Sequence, residues 1–431
     1  MTQDTTVLFK NLSLAGWRQF EAIDIELHPR LTIITGANGS GKTTLLNIFS
    51  RHFGWNPQYL ATPIKNKGDG AYSYLTGIYQ SVRKAIAEVN PGHVEVGTLH
   101  YTNGATASLQ VPDKTNVQYN LQANNQQNVP GVGIASHRLL THYQQVGHIP
   151  TQVMLPEQAY GTYNSETINR YQGGHTQFSP TYRIKEALIS MATFGAGNDY
   201  VQRNQEVLNT YLGFIDVLRK VLPKDIGFLD ISIRTPDVVL VTKSGEFLFD
   251  AASGGIMALV DLAWRIFLYS RRKTPFAVAI DEPENHLHPS MQRSLMGSLV
   301  RAFPNAQFIV ATHSPFIVSS VRDSSVYVLN YNESNQEQGD SIDGELKLRR
   351  IVSLKLDTVN RAGSAGEILR EVLGVRATVP EWVEENLAQI VEKYRGQQIT
   401  SGTLSALRSE LSGLGYGQLY PDALASLTEG K

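Results

Sequence analysis

The sequence predicts an α/β fold in which a sheet carries a phosphate-binding loop at the end of one strand. Residues 36–43 read Gly-Ala-Asn-Gly-Ser-Gly-Lys-Thr and fit the pattern GxxxxGK[ST] in full. An apolar strand pattern at 31–34 precedes this loop, and a helical pattern at 44–49 follows it. From about residue 255 to residue 330, strand and helix patterns alternate, which is typical of a parallel sheet with helices on its faces.

The N-terminal part of the chain is predicted to be rich in strands. Residues 6–35 and 93–122 alternate apolar and polar side chains, as half-buried strands do. Between two of these segments, Asn103-Gly104 is a strong hairpin signal. We therefore expect a β-rich N-terminal lobe beside the parallel sheet.

The middle and the end of the chain are predicted to be mainly helical. Residues 157–180 are rich in Gly, Tyr, Asn and Thr and predict a long loop. Helical patterns occupy 183–221 and most of the chain after residue 359. The predicted domains are a domain at 1–330 that carries the phosphate-binding loop and has an insertion at approximately 140–225, a linker at 331–358, and a C-terminal helical docking or oligomerisation module at 359–431.

Length and composition indicate a globular protein with a sizeable core. The chain has 431 residues, of which 42% are hydrophobic and 18% are charged. It has no cysteines, which excludes disulfides, thiolate zinc sites and cysteine nucleophiles. No apolar run reaches the roughly 18 residues of a membrane-spanning helix, and residues 1–4 lack a signal-peptide pattern, so we expect a cytoplasmic protein without a membrane partner. The net charge of −1 gives no general attraction to nucleic acid but leaves room for a local basic patch.

The glycine-rich loop predicts a site for ATP or GTP with Mg²⁺. Its backbone N–H groups and the following helix N-terminus favour phosphate oxygens. Lys42 would reach the β- and γ-phosphates, and Thr43 would bind Mg²⁺. The alternative is an ordinary surface glycine turn. The predicted nucleotide-binding residues of this loop are Gly36, Asn38, Gly39, Ser40, Gly41, Lys42, Thr43 and Thr44.

A second apolar strand pattern, at 276–280, ends in two carboxylates. Asp281 at a strand end beside the phosphate loop would order Mg²⁺ through water, as in a Walker B motif. Glu282 is placed to polarise the water that attacks the γ-phosphate. The alternative is a strand followed by an acidic turn, which is common.

A third strand pattern, at 307–311, is followed by His313. A histidine there can contact the γ-phosphate or the attacking water, so His313 and Glu282 are the predicted catalytic residues. The alternative is a structural histidine at a strand end. About 30 residues with a helix separate it from the Walker B strand, as expected for a neighbouring parallel strand.

Small residues at the start of the helix before Walker B form another candidate anion site. Ser253, Gly254 and Gly255 begin this helix, and backbone N–H groups at such an end can bind phosphate. Because the phosphate loop already serves the chain's own nucleotide, this second site would serve the nucleotide of a partner. The alternative is an ordinary glycine-containing helix start.

The four motifs together resemble the ABC-type ATPase family, in its soluble branch of chromosome-maintenance, RecF-like and OLD-like ATPases. Residues 281–289, Asp-Glu-Pro-Glu-Asn-His-Leu-His-Pro, and 311–315, Ala-Thr-His-Ser-Pro, look most like the OLD-like members. The signature departs from LSGGQ, since Ala252 and Ile256 replace the leucine and the glutamine. The glutamine loop has only Gln144 or Gln145 as candidates, near Ser136-His137-Arg138, and a structural role for either is equally open.

The resemblance implies an ABC-type head that dimerises around two ATP molecules, each held between the Walker A loop of one subunit and the signature of the other. The loop at 284–288 would face the partner subunit. No TOPRIM-like acidic cluster follows His313, so the chain resembles stand-alone ATPases of the Septu or PARIS type. These act with a separate nuclease or toxin effector in anti-phage defence, so we expect an ATP-driven sensor and scaffold. The alternative is a RecF-like ATPase that clamps DNA in repair.

Overall fold

The computed structural model describes most of the chain, including all four motifs. Each of the four motifs lies within a strand or helix or directly next to one. The described residues are 6–65, 72–78, 92–113, 115–136, 142–272, 274–332, 350–357, 363–373, 380–395 and 397–428.

Strands dominate the N-terminal half, and helices and strands alternate after it. The strands are β1 (Phe9–Trp17), β2 (Phe20–Glu26), β3 (Leu31–Gly36), β4 (Tyr59–Leu60), β5 (Thr62–Lys65), β6 (Tyr72–Leu75), β7 (His93–Tyr101), β8 (Thr106–Pro112), β9 (Gln118–Tyr119), β10 (Gln122–Asn124), β11 (Gly131–Ile134), β12 (Phe228–Arg234), β13 (Asp237–Thr242), β14 (Gly245–Leu248), β15 (Phe276–Asp281), β16 (Ala306–Ala311), β17 (Ser325–Tyr331) and β18 (Ile351–Lys355). The described α-helices of four or more residues are α1 (Lys42–Ser50), α2 (Pro156–Tyr171), α3 (Pro180–Ala196), α4 (Gln205–Val221), α5 (Gly254–Ser270), α6 (Pro289–Ala302), α7 (Pro315–Val318), α8 (Glu381–Tyr394), α9 (Ser401–Gly413) and α10 (Tyr420–Thr428).

One large mixed sheet runs through the described residues in the order β10-β8-β7-β1-β2-β18-β17-β3-β16-β15-β11. The strands from β17 to β11 pair in parallel, and β3, β15 and β16 are buried along their whole length. Their nearly continuous apolar sequences are those of strands covered on both faces. Because β16 lies between β3 and β15, the residues that follow these three strands meet at one edge of the sheet.

The β-rich N-terminal lobe predicted from the sequence is present. Strands β1, β2, β7, β8 and β10 pair antiparallel, and the predicted Asn103-Gly104 turn joins β7 to β8. The inward-facing residues of these strands merge with the face of the parallel sheet in one apolar core, in which Trp17 is fully buried. The α/β class and the placement of the β-rich part are therefore confirmed.

The loop predicted over 157–180 is wrong for most of its length, because residues 156–171 form the helix α2. Pro156 stands at its first position, where its missing N–H costs nothing, and Glu157 lies in the first turn, where it favours the helix dipole. The buried residues recur at helical spacing and provide the packing that stabilises a segment of low helix propensity. They are Pro156, Ala159, Tyr160, Tyr163 and Thr167.

The linker predicted over 331–358 contains a strand of the main sheet. Residues 351–355 form β18, which pairs antiparallel with β17 and parallel with β2. The edges of β17 and β2 provide backbone partners that a local sequence pattern does not reveal, and Ile351 is fully buried between them. The other part of the predicted linker, 333–349, lies outside the described residues.

Residues 369–431 form a second compact unit. Its described helices α8, α9 and α10 bury apolar residues against one another, and these residues make a small core of their own. The members of this core are Ile390, Val391, Leu407, Leu411 and Ala423. The apolar stripes predicted from helical spacing are therefore satisfied at least in part within the unit. Among the described helices, none has the length and apolar character needed to cross a membrane.

Candidate nucleotide-binding site

The phosphate loop runs from the end of β3 to the start of α1, and two of its glycines have no room for a side chain. Gly36 is buried with φ of +145°, and a Cβ on it would lie 2.7 Å from the Leu329 carbonyl oxygen. Gly41 precedes α1 with φ of +92°, and a Cβ there would lie 2.5 Å from the Phe20 ring. These positions require glycine for both conformation and space. The exposed tip of the loop is formed by Ala37, Asn38 and Gly39.

Lys42 lies inside the loop. Its side-chain Nζ donates hydrogen bonds to the carbonyl oxygens of Gly36 at 2.9 Å and Ala37 at 3.0 Å. Burial lowers the pKa of Lys42, while the nearby carboxylates Glu282, Asp281 and Glu284 act in the opposite direction. The ammonium group is therefore already desolvated and held by weak neutral acceptors, so phosphate oxygens would be stronger partners.

Thr43 and Asp281 meet across the sheet edge, as the predicted Mg²⁺ site requires. Thr43 Oγ1 donates a 2.8 Å hydrogen bond to Asp281 Oδ2, and Asp281 Oδ1 is buried without a hydrogen-bond partner. Burial raises the pKa of Asp281 to about 6, ahead of the opposing effect of the Thr43 hydrogen bond. A hydroxyl beside a partly unsatisfied carboxylate fits Mg²⁺, which prefers oxygen ligands. No cluster of three or more His, Asp or Glu that could hold a metal occurs among the described residues.

Ser40 and Thr44 complete the set predicted from this loop. Ser40 is fully buried, and its Oγ has no hydrogen-bond partner, so it is an unsatisfied polar group beside Gly36. Thr44 is half-buried in the first turn of α1. The structure thus brings every predicted residue of the loop to the carboxyl edge of the sheet, and their contacts with a nucleotide remain predictions.

Glu282 and His313 are neighbours at the ends of β15 and β16. The distance from His313 Nδ1 to Glu282 Oε1 is 3.3 Å, and Asn285 Nδ2 donates to Glu282 Oε2 at 3.1 Å. Glu282 has φ of +46°, which is unusual for a residue with a side chain, and its N–H donates to the Ala311 carbonyl oxygen at 2.8 Å. This strained backbone fixes the direction of a half-exposed carboxylate beside the phosphate loop.

Glu284 belongs to this site, and the sequence analysis assigned it no role beyond membership of the loop after Walker B. It is 4% exposed, and its Oε1 accepts from Thr312 Oγ1 at 2.6 Å and from the His313 backbone N–H at 3.0 Å. The same oxygen lies 3.5 Å from His313 Nδ1. In the sequence, Glu284 is one more carboxylate after the Walker B strand, and this position alone does not predict its burial.

The signature residues begin α5, and two of them face solvent. Ser253 is the N-cap residue of this helix, with its Oγ accepting from the Ile256 N–H at 3.4 Å. Ser253 and Gly254 are exposed, whereas Gly255 packs close to the loop after Walker B. A Cβ on Gly255 would lie 3.0 Å from the His286 carbonyl oxygen. The structure thus leaves the polar end of the helix accessible to another molecule.

A buried ion pair supports the turn in front of the signature. The side chain of Lys185 is fully buried, and its Nζ lies 2.5 Å from Asp250 Oδ2 and 3.6 Å from Asp237 Oδ1. It also donates to the Gln144 carbonyl oxygen at 2.7 Å. The partners are 41 to 65 positions from Lys185, so no local pattern could have predicted this contact.

Gln144, one of the two glutamine-loop candidates, has its side-chain partners in the segment before α3 and not in the phosphate loop. The Gln144 side chain accepts from the Ser179 N–H at 2.7 Å and donates to the Gln177 carbonyl oxygen at 3.2 Å, just before α3. This is the structural role that the sequence analysis left open for Gln144. Gln145 is exposed, and His137 and Arg138 lie outside the described residues.

Comparisons with known proteins identify the domain that carries this site. A family model described as an AAA domain matches residues 11–145, and a second, described as "AAA domain, putative AbiEii toxin, Type IV TA system", matches residues 244–319. The chain contains a P-loop ATPase domain. The first match includes the phosphate loop, and the second includes the signature, both Walker B carboxylates and His313.

Several relatives carry names from the predicted group. The chain is 32% identical over 143 residues to a retron Vc95 probable ATPase of Vibrio cholerae, covering 31% of this chain and 26% of the relative. It is 26% identical over 241 residues to a retron Ec83 probable ATPase of Escherichia coli, covering 53% of this chain and 35% of that one. It is 26% identical over 203 residues to the Septu protein PtuA of Bacillus mycoides, covering 44% of this chain and 25% of that protein.

These names confirm the predicted resemblance to Septu-type ATPases and extend it to retron ATPases. The matched segments span only about a quarter to a third of the length of these relatives. The similarity therefore supports the ATPase domain directly, and the activity and partners of the whole protein are the subject of the proposal below.

Proposed function

We propose that this protein binds and hydrolyses ATP with Mg²⁺, dimerises around the nucleotide, and regulates a separate nuclease or toxin effector in anti-phage defence. The observation that carries the first part is the convergence of Lys42, Thr43, Asp281, Glu282 and His313 at one sheet edge. The first three form a cradle suited to phosphate and a divalent cation. Glu282 and His313 are the proposed base and hydrogen-bond partner for a water that attacks the terminal phosphate.

In the proposed reaction, Glu282 accepts a proton from the attacking water, since it is the accessible carboxylate at this edge. Its side chain is 30% exposed, whereas that of Glu284 is 4% exposed and already accepts two hydrogen bonds. His313 contacts the terminal phosphate or the water. Bound Mg²⁺ would supply charge neutralisation, with Thr43 as a ligand and Asp281 holding coordinated water. Lys42 neutralises charge on the β- and γ-phosphates.

The exposed start of α5 supports action between subunits. Ser253 and Gly254 are exposed at the N-terminus of α5, where a hydroxyl and backbone N–H groups are suited to a phosphate. The chain's own phosphate loop already provides a complete cradle, so the proposed target of the signature is the ATP held by a second subunit. One dimer would then contain two composite sites.

The effector part of the proposal rests on the relatives. They are named retron probable ATPases and Septu protein PtuA. The Septu name agrees with the class of ATPases that the sequence resembles, for which we expect a separate effector. The second compact unit, residues 369–431, is the proposed docking or oligomerisation module. A net charge of −1 gives no general attraction to DNA that would favour a direct clamp.

The decisive experiment measures ATP hydrolysis and mass in solution together. Glu282→Gln protein should form a dimer in ATP and Mg²⁺ by size-exclusion chromatography with light scattering, because it binds ATP without consuming it. The matched control, which combines Glu282→Gln with Lys42→Ala, should have the same mass in solution with and without ATP. The proposal would be contradicted by a wild-type protein that does not hydrolyse ATP, or by a Glu282→Gln protein whose mass in solution does not change when ATP is added.

A further inference from the structure

Glu284 is a buried carboxylate that connects the Walker B turn to the switch histidine. We propose that it is a positioning residue for ATP hydrolysis, acting through His313; this inference rests on the proposed function. Glu284 Oε1 accepts hydrogen bonds from two groups of the neighbouring strand end, Thr312 Oγ1 at 2.6 Å and the His313 backbone N–H at 3.0 Å. It therefore fixes the backbone from which the His313 ring extends.

The ring of His313 is held by carboxylates as well. Its Nδ1 lies 3.3 Å from Glu282 Oε1 and 3.5 Å from Glu284 Oε1. In the proposed arrangement Nδ1 carries a proton, because a protonated ring nitrogen is favoured beside carboxylate oxygens. In the neutral ring this leaves Nε2 as an acceptor, available to a group bound at the sheet edge. Glu284 thus helps to set both the orientation and the tautomer of His313.

The burial of Glu284 shows that the fold retains it at a cost. Its other oxygen, Oε2, is buried and lacks a hydrogen-bond partner. Burying a carboxylate with unsatisfied lone pairs is unfavourable, and an apolar residue of similar size would avoid the penalty. The carboxylate is explained if the three groups that it organises at residues 312–313 are needed for the reaction.

The same residue lies on the route between the signature and the switch. It begins the turn 284–288, in which the Leu287 N–H donates to the Glu284 carbonyl oxygen at 2.9 Å. Gly255 of the signature packs against the His286 carbonyl oxygen in this turn. Gln292 adds a second tie, since it donates to the Leu287 carbonyl oxygen at 2.9 Å and accepts from Ser314 Oγ at 2.7 Å. The turn therefore connects the signature to the residues around His313, through Glu284 on one side and through Gln292 on the other.

The test compares two replacements of nearly equal length. Glu284→Gln keeps a carbonyl oxygen that can accept from Thr312 and His313, so it should retain most of the wild-type kcat. Glu284→Met removes every acceptor and should lower kcat by about ten- to a hundredfold, while the affinity for a fluorescent ATP analogue changes less than about threefold. In a His313→Ala background, the difference between Gln and Met should disappear, because Glu284 acts through the ring that is missing.

A readout without nucleotide separates this inference from the proposed function. Selective ¹⁵N-histidine NMR, with His313 assigned by its loss in His313→Ala, should show an Nδ1-protonated ring in wild type and Glu284→Gln, and a changed signal in Glu284→Met. If Glu284→Met does not fold, Thr312→Val tests the same contact and should give the same loss of kcat. Equal activity of Gln and Met, additive effects with His313→Ala, or an unchanged His313 signal in Met would overturn the inference. An inactive wild type would instead contradict the proposed function.

Discussion

The Thr43 hydroxyl donates a 2.8 Å hydrogen bond to Asp281 Oδ2, although the two residues are 238 positions apart. The contact exists because β3 and β15 are separated by only one strand, and their carboxyl ends lie at the same sheet edge. It joins the phosphate loop directly to the Walker B carboxylate. Changes on either side of this contact should therefore separate nucleotide binding from hydrolysis.

Lys42→Ala should abolish tight ATP binding. The substitution removes the buried ammonium group that would form charge-assisted hydrogen bonds with phosphate oxygens, so affinity should fall by about 10²-fold or more. Titration with a fluorescent ATP analogue measures this directly. Lys220→Ala, at an exposed position of α4, is the matched control and should bind normally. Unchanged affinity of Lys42→Ala would show that the loop is not the nucleotide site.

Glu282→Gln should keep ATP affinity and slow hydrolysis by about 10²–10⁴-fold, the usual effect of losing a general base. The amide retains the length of the side chain and its place beside His313 Nδ1, but it cannot take a proton from water. Single-turnover hydrolysis with saturating ATP gives the rate of the chemical step. A parent-like rate would mean that another residue is the base.

Much of this site could be predicted from local sequence, because its residues immediately follow strands. Lys42, Asp281 and His313 each follow a buried apolar segment, and parallel strands place such ends together. Glu284 could not be assigned a role in this way, since its function depends on a hydrogen bond to Thr312, which is 28 positions away. Its spacing in sequence gave no information on burial.

The two errors in the predicted fold have the same origin, contacts between residues that are distant in the sequence. The helix at 156–171 contains Gly, Asn, Thr and Tyr residues of low helix propensity, and tertiary packing decides its structure: Tyr163 contacts Asp261 of α5. Strand 351–355 is short and follows a polar segment, and it is specified by the free edges of β2 and β17. In both cases the deciding partners lie far away in the sequence.

Ser253→Arg should eliminate ATP hydrolysis while each subunit still binds nucleotide. A bulky cation at the exposed start of α5 would prevent close approach of a partner's γ-phosphate. Mixing Ser253→Arg subunits with Lys42→Ala subunits gives one site with both lesions and one with neither. Hydrolysis that reappears in the mixture would demonstrate action between subunits. Mixed dimers that form and stay inactive would argue against independent composite sites.

Stability should depend on pH through His52, which lies outside the candidate site. Burial lowers the pKa of His52 to about 4, since its ring packs edge-on against Phe9. The hydrogen bond that Nδ1 donates to the Phe49 carbonyl oxygen acts in the opposite direction but is the smaller effect. In the unfolded chain His52 is protonated below about pH 6.5, whereas in the folded chain it stays neutral down to about pH 4. The stabilising contribution is therefore complete above pH 6.5 and is lost as the pH falls toward 4.

The measurement is urea unfolding of wild type and His52→Gln at a series of pH values. The stability of wild type relative to the variant should fall by up to roughly 3 kcal/mol between pH 6.5 and pH 4. Glutamine keeps a polar side chain of similar reach but does not titrate in this range. A difference in stability that stays constant with pH would show that His52 is not held in its neutral form.

Removal of residues 369–431 should leave a soluble ATPase that has lost effector binding or higher assembly. The boundary is chosen because β18 belongs to the main sheet, whereas the helices after it bury Ile390, Leu407 and Leu411 in a core of their own. A finer variant is Trp382→Ala, since this indole is 59% exposed and is a strong candidate for an interface anchor. Leu407→Ala, inside the small core, should instead unfold the module.

Light scattering, ATP hydrolysis and co-purification with proteins of the native host give the three readouts. An inactive truncation would show that the module is needed for the ATPase itself, and an active one with unchanged assembly and partners would eliminate the docking role.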